Sequence, residues 1–297
     1  MSRTQANLLM LVAAVIWGTT FVAQQLGMRD VGPLTYTGVR FLMGALFVAP
    51  LAWHEYVRLK ARGIRLERRD LAYWCGIGLL LTGGAVLQQI GIVSTTVSNA
   101  GFLTALYVPL VPILGWLLHR HLPHWSLWPA AAGSVAGTYL LGGGELSALS
   151  VGDLWIIAST FFWAGHVLYV GRVAAQKGAP ILLACTQFVV CGVLSLGLAL
   201  ATETITLAGL SAGLPTILYG GLLSVGIAYT LQVVAQRHTH ATDAAILLSS
   251  EILFAALAGM LYLGERLNSL QMAGGGLIFA SILMVQLLPL WRPARRA

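Results

Sequence analysis

The sequence is poor in charge: Asp, Glu, Lys and Arg make up 9% of its 297 residues, against 58% hydrophobic residues. A soluble domain carries about a quarter charged residues, so this chain has too little polar surface to clothe a water-soluble globule of its length. Cysteine is almost missing as well. Cys75, Cys185 and Cys191 all sit inside apolar stretches without metal-ligand spacing, which excludes a disulfide framework and a cysteine-zinc site. Acidic residues number 10 against 17 basic ones, a formal charge of +7. In a soluble protein that excess points to nucleic acid; here the cations lie between apolar stretches, where they suit an anionic membrane face, and no nucleic-acid partner is expected. There is no phosphate-binding loop, nucleophile elbow or His-Glu-x-x-His, so no cofactor is expected and nucleotide-driven pumping would need a partner chain.

The apolar residues are gathered into windows of about 20, the length that crosses roughly 30 Å of hydrocarbon. They fall near 6 to 27, 33 to 53, 71 to 93, 99 to 118, 126 to 144, 153 to 174, 180 to 202, 213 to 234, 243 to 263 and 270 to 290. The first window is long enough to span and lacks a small-residue cleavage site, so it reads as a helix rather than a signal peptide. Pro33 and Pro180 suit helix starts, and Asn99 and Asp243 suit N-caps. The fold expected is therefore an all-α integral membrane protein of ten transmembrane helices.

The chain also repeats itself. Trp17-Gly18 aligns with Trp163-Ala164, Pro33 with Pro180, Gln88 with Gln232, and Thr95-x-x-Ser98-Asn99-Ala100 with Thr239-x-x-Thr242-Asp243-Ala244, at offsets of 146, 147 and 144. Residues 1–145 and 146–297 then form two five-helix halves. Five is odd, so the second half enters the membrane from the opposite side, an inverted repeat of the kind that transporters build around a central cavity for alternating access.

Ten helices in two halves resemble the EamA-type transporters of the drug/metabolite transporter superfamily. The densest match runs from Glu251 through Ala255 and Gly259 to Leu263-Gly264-Glu265-Arg266-Leu267; others are Trp17-Gly18 with Phe21, Pro33 with Arg40-Phe41, and Gly274-Gly275-Gly276. The first half departs from the pattern at Leu118–Leu122, where Leu-His-Arg-His-Leu replaces the Leu-Gly-Glu ending. The resemblance implies a multi-pass inner-membrane exporter of small metabolites, amino acids first, with a lipid-carrier or nucleotide-sugar-type flippase as the alternative. A membrane-embedded enzyme would need a convergent nucleophile, base or metal cluster near one interface, and the sequence offers none.

Residues that suit a solute site are polar or aromatic groups sharing helix faces. Trp17, Thr20 and Gln24 stack on the first helix; Ser159, Trp163 and His166 on the sixth; Gln88 with Gly84 and Gly91 on the third; Tyr229 with Gln232 on the eighth. Amides and indoles offer hydrogen bonds without fixed charge and flat surface for an aromatic or branched side chain. Arg40 lies seven residues into the second helix; it suits either a substrate carboxylate or helix-end carbonyls near the outer mouth. Glu251 lies eight residues into the ninth, with Tyr107 as its partner in the repeat. A bare carboxylate there is costly, so it pairs with an ammonium, carries a proton, or bonds to hydroxyls across helices. Pro109 and Pro112 must interrupt the fourth helix, a kink that suits gating. Gly133-x-x-x-Gly137, Gly220-x-x-x-Ser224 and Ala255-x-x-x-Gly259 permit close helix contact. His119-x-His121-x-x-His124 lies in a basic loop with no carboxylate or thiol beside it, and no metal is expected.

Orientation follows from cations on alternate loops. One side collects 14 Lys and Arg, six of them between residues 54 and 70; the other has Arg29 and Arg266, and Arg40 lies within the membrane. The cation-rich side should face the cytoplasm. Both termini are then cytoplasmic: a thiol label at either end should react with an impermeant reagent only after inner-face access is opened, and reaction of one end from outside would refute the inverted arrangement.

Overall fold

The computed structural model describes residues 1–95, 97–120, 125, 127–141, 144, 150–263 and 268–291. These residues form helices and no strands: α1 (Arg3–Gly27), α2 (Pro33–Ala61), α3 (Arg68–Ile92), α4 in two pieces, α4a (Val97–Thr104) and α4b (Tyr107–His119), and α5 (Leu127–Leu141). The second half repeats the series as α6 (Val151–Lys177), α7 (Pro180–Thr202), a short connecting helix (Leu207–Ala212), α8 (Leu214–Gln236), α9a (Ala241–Leu248), α9b (Glu251–Leu263) and α10 (Ser269–Trp291). Among the described residues, seven spans, those of α1, α2, α3, α6, α7, α8 and α9, are long and apolar enough to cross a bilayer. The expected Asn99 cap falls inside α4a, and Asp243 is not a cap either: His240 holds that position, while Asp243 in the first turn pairs with Arg3 at 2.7 Å. The α2 helix also runs eight residues past the apolar window, because residues 54 to 61 are charged but have no breaker among them.

Which helices touch is nearly unchanged when each is exchanged for its counterpart five later. Helix α2 packs on α7 and α5 on α10, each pair being its own counterpart; α3 on α6 answers α1 on α8, and α3 on α7 answers α2 on α8. The direction of the central pair is set by caps. Pro33 and Pro180 open α2 and α7 and lack an N–H. The next amides of α2, Leu34 and Thr35, donate to the Glu203 carboxylate at the end of α7, both at 2.8 Å. At the other end, the Leu182 amide of α7 donates to Glu55 of α2 at 2.7 Å. The start of each helix thus meets the end of the other. Between them Gly38 lies against Leu196 and Gly192 against Leu42, so residue numbers fall along α7 as they rise along α2. Counterpart helices of the two halves are antiparallel, which is the inverted relation.

Small residues bring the helices close where lipid offers no hydrophobic drive between them. A Cβ on Gly137 would lie 2.7 Å from the Gly274 carbonyl oxygen, and one on Gly133 2.5 Å from the Ser281 hydroxyl, so the first small-residue motif joins α5 to α10. One end of the molecule gathers the N-terminus and the starts of α3, α7 and α9a: Arg3 pairs with Asp243, and Lys177 with Asp70 at 3.1 Å. At the opposite end, the Thr95 hydroxyl donates to Asp153. We call the first end the basic face.

Losing either reciprocal cap strands helix-start donors. Glu203→Ala and Glu55→Ala should each cost about 1–2 kcal/mol, read as a lower melting temperature in detergent.

Candidate functional site

The α4 and α9 helices both break at the middle of the fold, for different chemical reasons. Pro109 lacks the N–H that would reach the Ala105 carbonyl, which takes the Val108 amide instead at 2.9 Å; the helix stops at Thr104 and restarts at Tyr107. In α9 there is no proline. Ser249 and Ser250 turn their hydroxyls back onto the carbonyls of Ile246 and Leu247, at 2.8 and 2.6 Å, a pattern that bends helices. The breaks fall at the same place in the repeat, 144 residues apart, and each new half-helix begins on its cavity residue, Tyr107 or Glu251.

A cavity lies between the halves at these breaks. It is lined from α1 by Trp17, Thr20, Phe21 and Gln24, from α2 by Arg40, from α3 by Gln88, from α4 by Thr104 and Tyr107, from α6 by Trp163 and Val167, from α8 by Ser224, Tyr229 and Gln232, and from α9 by Leu248 and Glu251. Its volume is about 50 Å³, room for roughly three or four waters.

One wall is aromatic and centres on Tyr229. The Trp163 ring stacks on it at 6.2 Å and 12° between planes, and Trp17 leans against it at 4.6 Å. Phe41 and Phe188 close its back at 5.7 and 6.1 Å. Each such pair adds about 0.5–1.5 kcal/mol beyond burial, so this wall is rigid. Glycines make room for it. A Cβ on Gly84 would lie 2.8 Å from the Trp163 indole, and one on Gly18 would strike the Glu251 carbonyl and stand 2.6 Å from the Phe254 Cβ; Gly18 thereby lets α1 carry Trp17 up against α9b. Residues Tyr219–Tyr229 of α8 are wound as a π-helix, a rare form that recurs at functional sites, and there the Ser224 carbonyl accepts the Trp17 indole N–H at 3.3 Å.

Polar groups complete the lining. The Gln88 amide donates to the Thr104 hydroxyl at 2.9 Å, and the Tyr107 hydroxyl donates to the Ala245 carbonyl at 3.1 Å, tying one broken helix to the other. Buried atoms without a partner include Gln24 Oε1, Gln232 Oε1, Trp163 Nε1 and Arg40 Nε. The Arg40 guanidinium stacks over the Tyr36 and Phe41 rings, 5.4 and 5.2 Å from their centroids. The ion pairs among the described residues do not join Arg40 to Glu251. Both are at least nine-tenths buried, at 3% and 8% exposure, so the site presents a cation and a carboxyl that do not neutralise each other directly.

The structure gathers Trp17, Thr20, Gln88, Tyr107, Trp163, Tyr229, Gln232, Arg40 and Glu251 around one space. The expectation for His166 is corrected: it is fully buried, does not line the cavity, and bonds through Nε2 to Gln187 Oε1 at 2.8 Å. Helical spacing put it on the face of Trp163, but the face is broad and His166 lies at its α7 edge. Thr20 lines the space with its hydroxyl committed to the Ile16 carbonyl at 2.6 Å. Pro109 and Pro112 stand behind the break without lining the cavity. Sequence reading missed Thr104, Ser224 and the serine break of α9; the Ser249-Ser250 pair was the available signal. The residues His121, His124 and Gly264–Leu267 lie outside the described residues.

A model of the EamA-like transporter family matches residues 4–143 and again 150–287. The chain belongs to the EamA-like transporter family. It is a multi-pass membrane transporter with two family repeats. Relatives include an uncharacterized transporter of Archaeoglobus fulgidus, 28% identical across 96% of this chain and 87% of its own length. The uncharacterized transporter YwfM of Bacillus subtilis is 24% identical over 95% and 94% of the two chains. The uncharacterized inner membrane transporter YedA of Escherichia coli is 25% identical over 92% and 88%. A crystal structure of a protein 17% identical superposes with TM-score 0.77 over 97% of this chain and 98% of its own, a likeness of fold.

The glycine beneath Trp163 offers a test of the site's packing. Gly84→Ala should force the indole away and cost about 1–3 kcal/mol, lowering the melting temperature. Gly76→Ala on the same helix, where a Cβ meets nothing within 4 Å, should be neutral or mildly stabilising.

Proposed function

We propose that this protein exports small zwitterionic metabolites, neutral and aromatic amino acids first, across the inner membrane by alternating access, with both termini cytoplasmic. The observation that carries this reading is the cavity's composition. One guanidinium and one carboxyl line it without pairing to each other, beside an aromatic wall. A zwitterion satisfies all three: its carboxylate meets Arg40, its ammonium meets Glu251, and its side chain lies on Trp17, Trp163 and Tyr229.

Desolvating two buried charges is costly unless each gains a partner. A solute that supplies both partners binds preferentially over one carrying a single charge. The cavity's small volume favours a change of shape during the cycle, since a whole amino acid needs more room than a few waters occupy. The inverted halves supply two such shapes from one packing scheme. Glu251 is also the group placed to exchange a proton for the solute's ammonium, which would couple export to the proton gradient.

Uptake of labelled neutral amino acids into liposomes carrying the purified protein tests the reading. Loss of a charge-assisted hydrogen bond is worth about 1.5–3 kcal/mol, so Arg40→Gln and Glu251→Gln should each cut zwitterion transport by roughly 10- to 100-fold. The Arg40 variant should no longer prefer an amino acid over the corresponding amine. Glu251→Gln should erase the pH dependence if the carboxyl carries a proton. Absence of transport for every amino acid, with turnover of a lipid instead, would transfer the assignment to a flippase.

A further inference from the structure

A second cavity opens at the basic face between α6, α8 and α9a, with a volume of about 290 Å³. Its walls include Gly171 and Arg172 of α6, Gln236 and Arg237 of α8, and His240 and Ala241 at the start of α9a. Val167 lines both this vestibule and the central cavity, and no other lining residue is shared. The side chain is 3% exposed, and its backbone carbonyl accepts the Gln236 amide at 3.0 Å, pinning α6 to α8 at that level.

The repeat identifies the matching place on the opposite face. At the offset that pairs Trp17 with Trp163, Val167 falls on Phe21; at the offset that pairs Gln88 with Gln232, Gln236 falls on Ile92. Phe21 and Ile92 belong, with Ala100, Leu103 and Ile156, to an apolar cluster separate from the main core, each at most 5% exposed. The two ends of the central cavity are therefore closed unequally: on one side by a separate aromatic and aliphatic cluster, on the other by Val167, a member of the main apolar core that alone lines both cavities, beside a glutamine. A polar solute crosses a dry plug only when the helices carrying it separate, whereas one β-branched side chain is a thin barrier.

Resting on the reading that the central cavity carries solute, we infer that Val167 is the gate between that cavity and the basic face, and that Phe21 with Ile92, Leu103 and Ile156 is its thicker counterpart opposite. Solute passes over Val167 between α6, α8 and α9a, with the Gln236 tether holding the gate's backbone.

The test reads water access rather than transport, so the gate and the proposed function can fail separately. In a background with Cys75, Cys185 and Cys191 replaced by Ala, Ser224→Cys places a thiol in the cavity wall. An impermeant methanethiosulfonate is applied to each face of oriented proteoliposomes, without solute. The thiol should react faster from the basic face. Val167→Ala should raise that rate several-fold and Val167→Phe, which copies the opposite plug, should lower it; Phe21→Ala should open access from the other face alone. If Val167→Phe unfolds, Val167→Ala decides. A basic-face rate that folded Val167 variants leave unchanged, or faster reaction from the opposite face in the unmodified gate, overturns the inference. Labelling that follows the expected pattern in a protein that moves no amino acid would sink the proposed substrate and leave the gate standing.

Discussion

Two carboxylates hold the arrangement. Glu203 ends α7 and closes the start of α2; Glu55 ends the membrane-crossing part of α2 and closes the start of α7. Near a bilayer, helix-start amides cannot be left bare, and a proline at the first position already removes one of them. The reciprocal caps settle the remaining donors only if the two helices run in opposite senses at one depth. That requirement makes α2 and α7 antiparallel, and the other helices pack in the same counterpart pattern around them. The cavity is the space left around the ends of the broken helices, where neither half can fill the middle alone.

Much of this was legible in residue order. Apolar windows located the helices within a few residues, because hydrocarbon thickness fixes their length, except at the end of α2, which runs on past its window. Trp17 and Trp163, at one offset, announced the duplication and also stand on one aromatic wall. Residues less well read share a cause. His166 has the correct helical phase but its outcome depends on Gln187, a residue of another helix. Ser224 came to the cavity through π-winding, which shifts the spacing that an α-helical count assumes. Asp243 was assigned by type as a cap, yet Arg3, 240 positions away, decides its role. Local chemistry is written in sequence; partners brought together by folding are not.

The buried charges carry the functional meaning of the site. Arg40 lies across two aromatic rings, which partly compensate a guanidinium away from water. Glu251 begins a half-helix, where the positive end of the helix dipole favours an anion. Each charge thus has local support without pairing with the other, which is what the proposed zwitterion reading requires.

The two interruptions have unequal mechanical reach. A proline ring never regains its missing donor, so the kink before Pro109 is permanent. The break in α9 removes no backbone donor: it rests on the hydroxyls of Ser249 and Ser250, bonded to the carbonyls of Ile246 and Leu247. One half is broken by a missing donor and the other by side-chain hydroxyls, and only the second leaves every backbone donor in place. If the halves exchange roles as proposed, the exchange is not a perfect mirror, because the two breaks differ in chemistry and Glu251 begins the helix beyond the serine one.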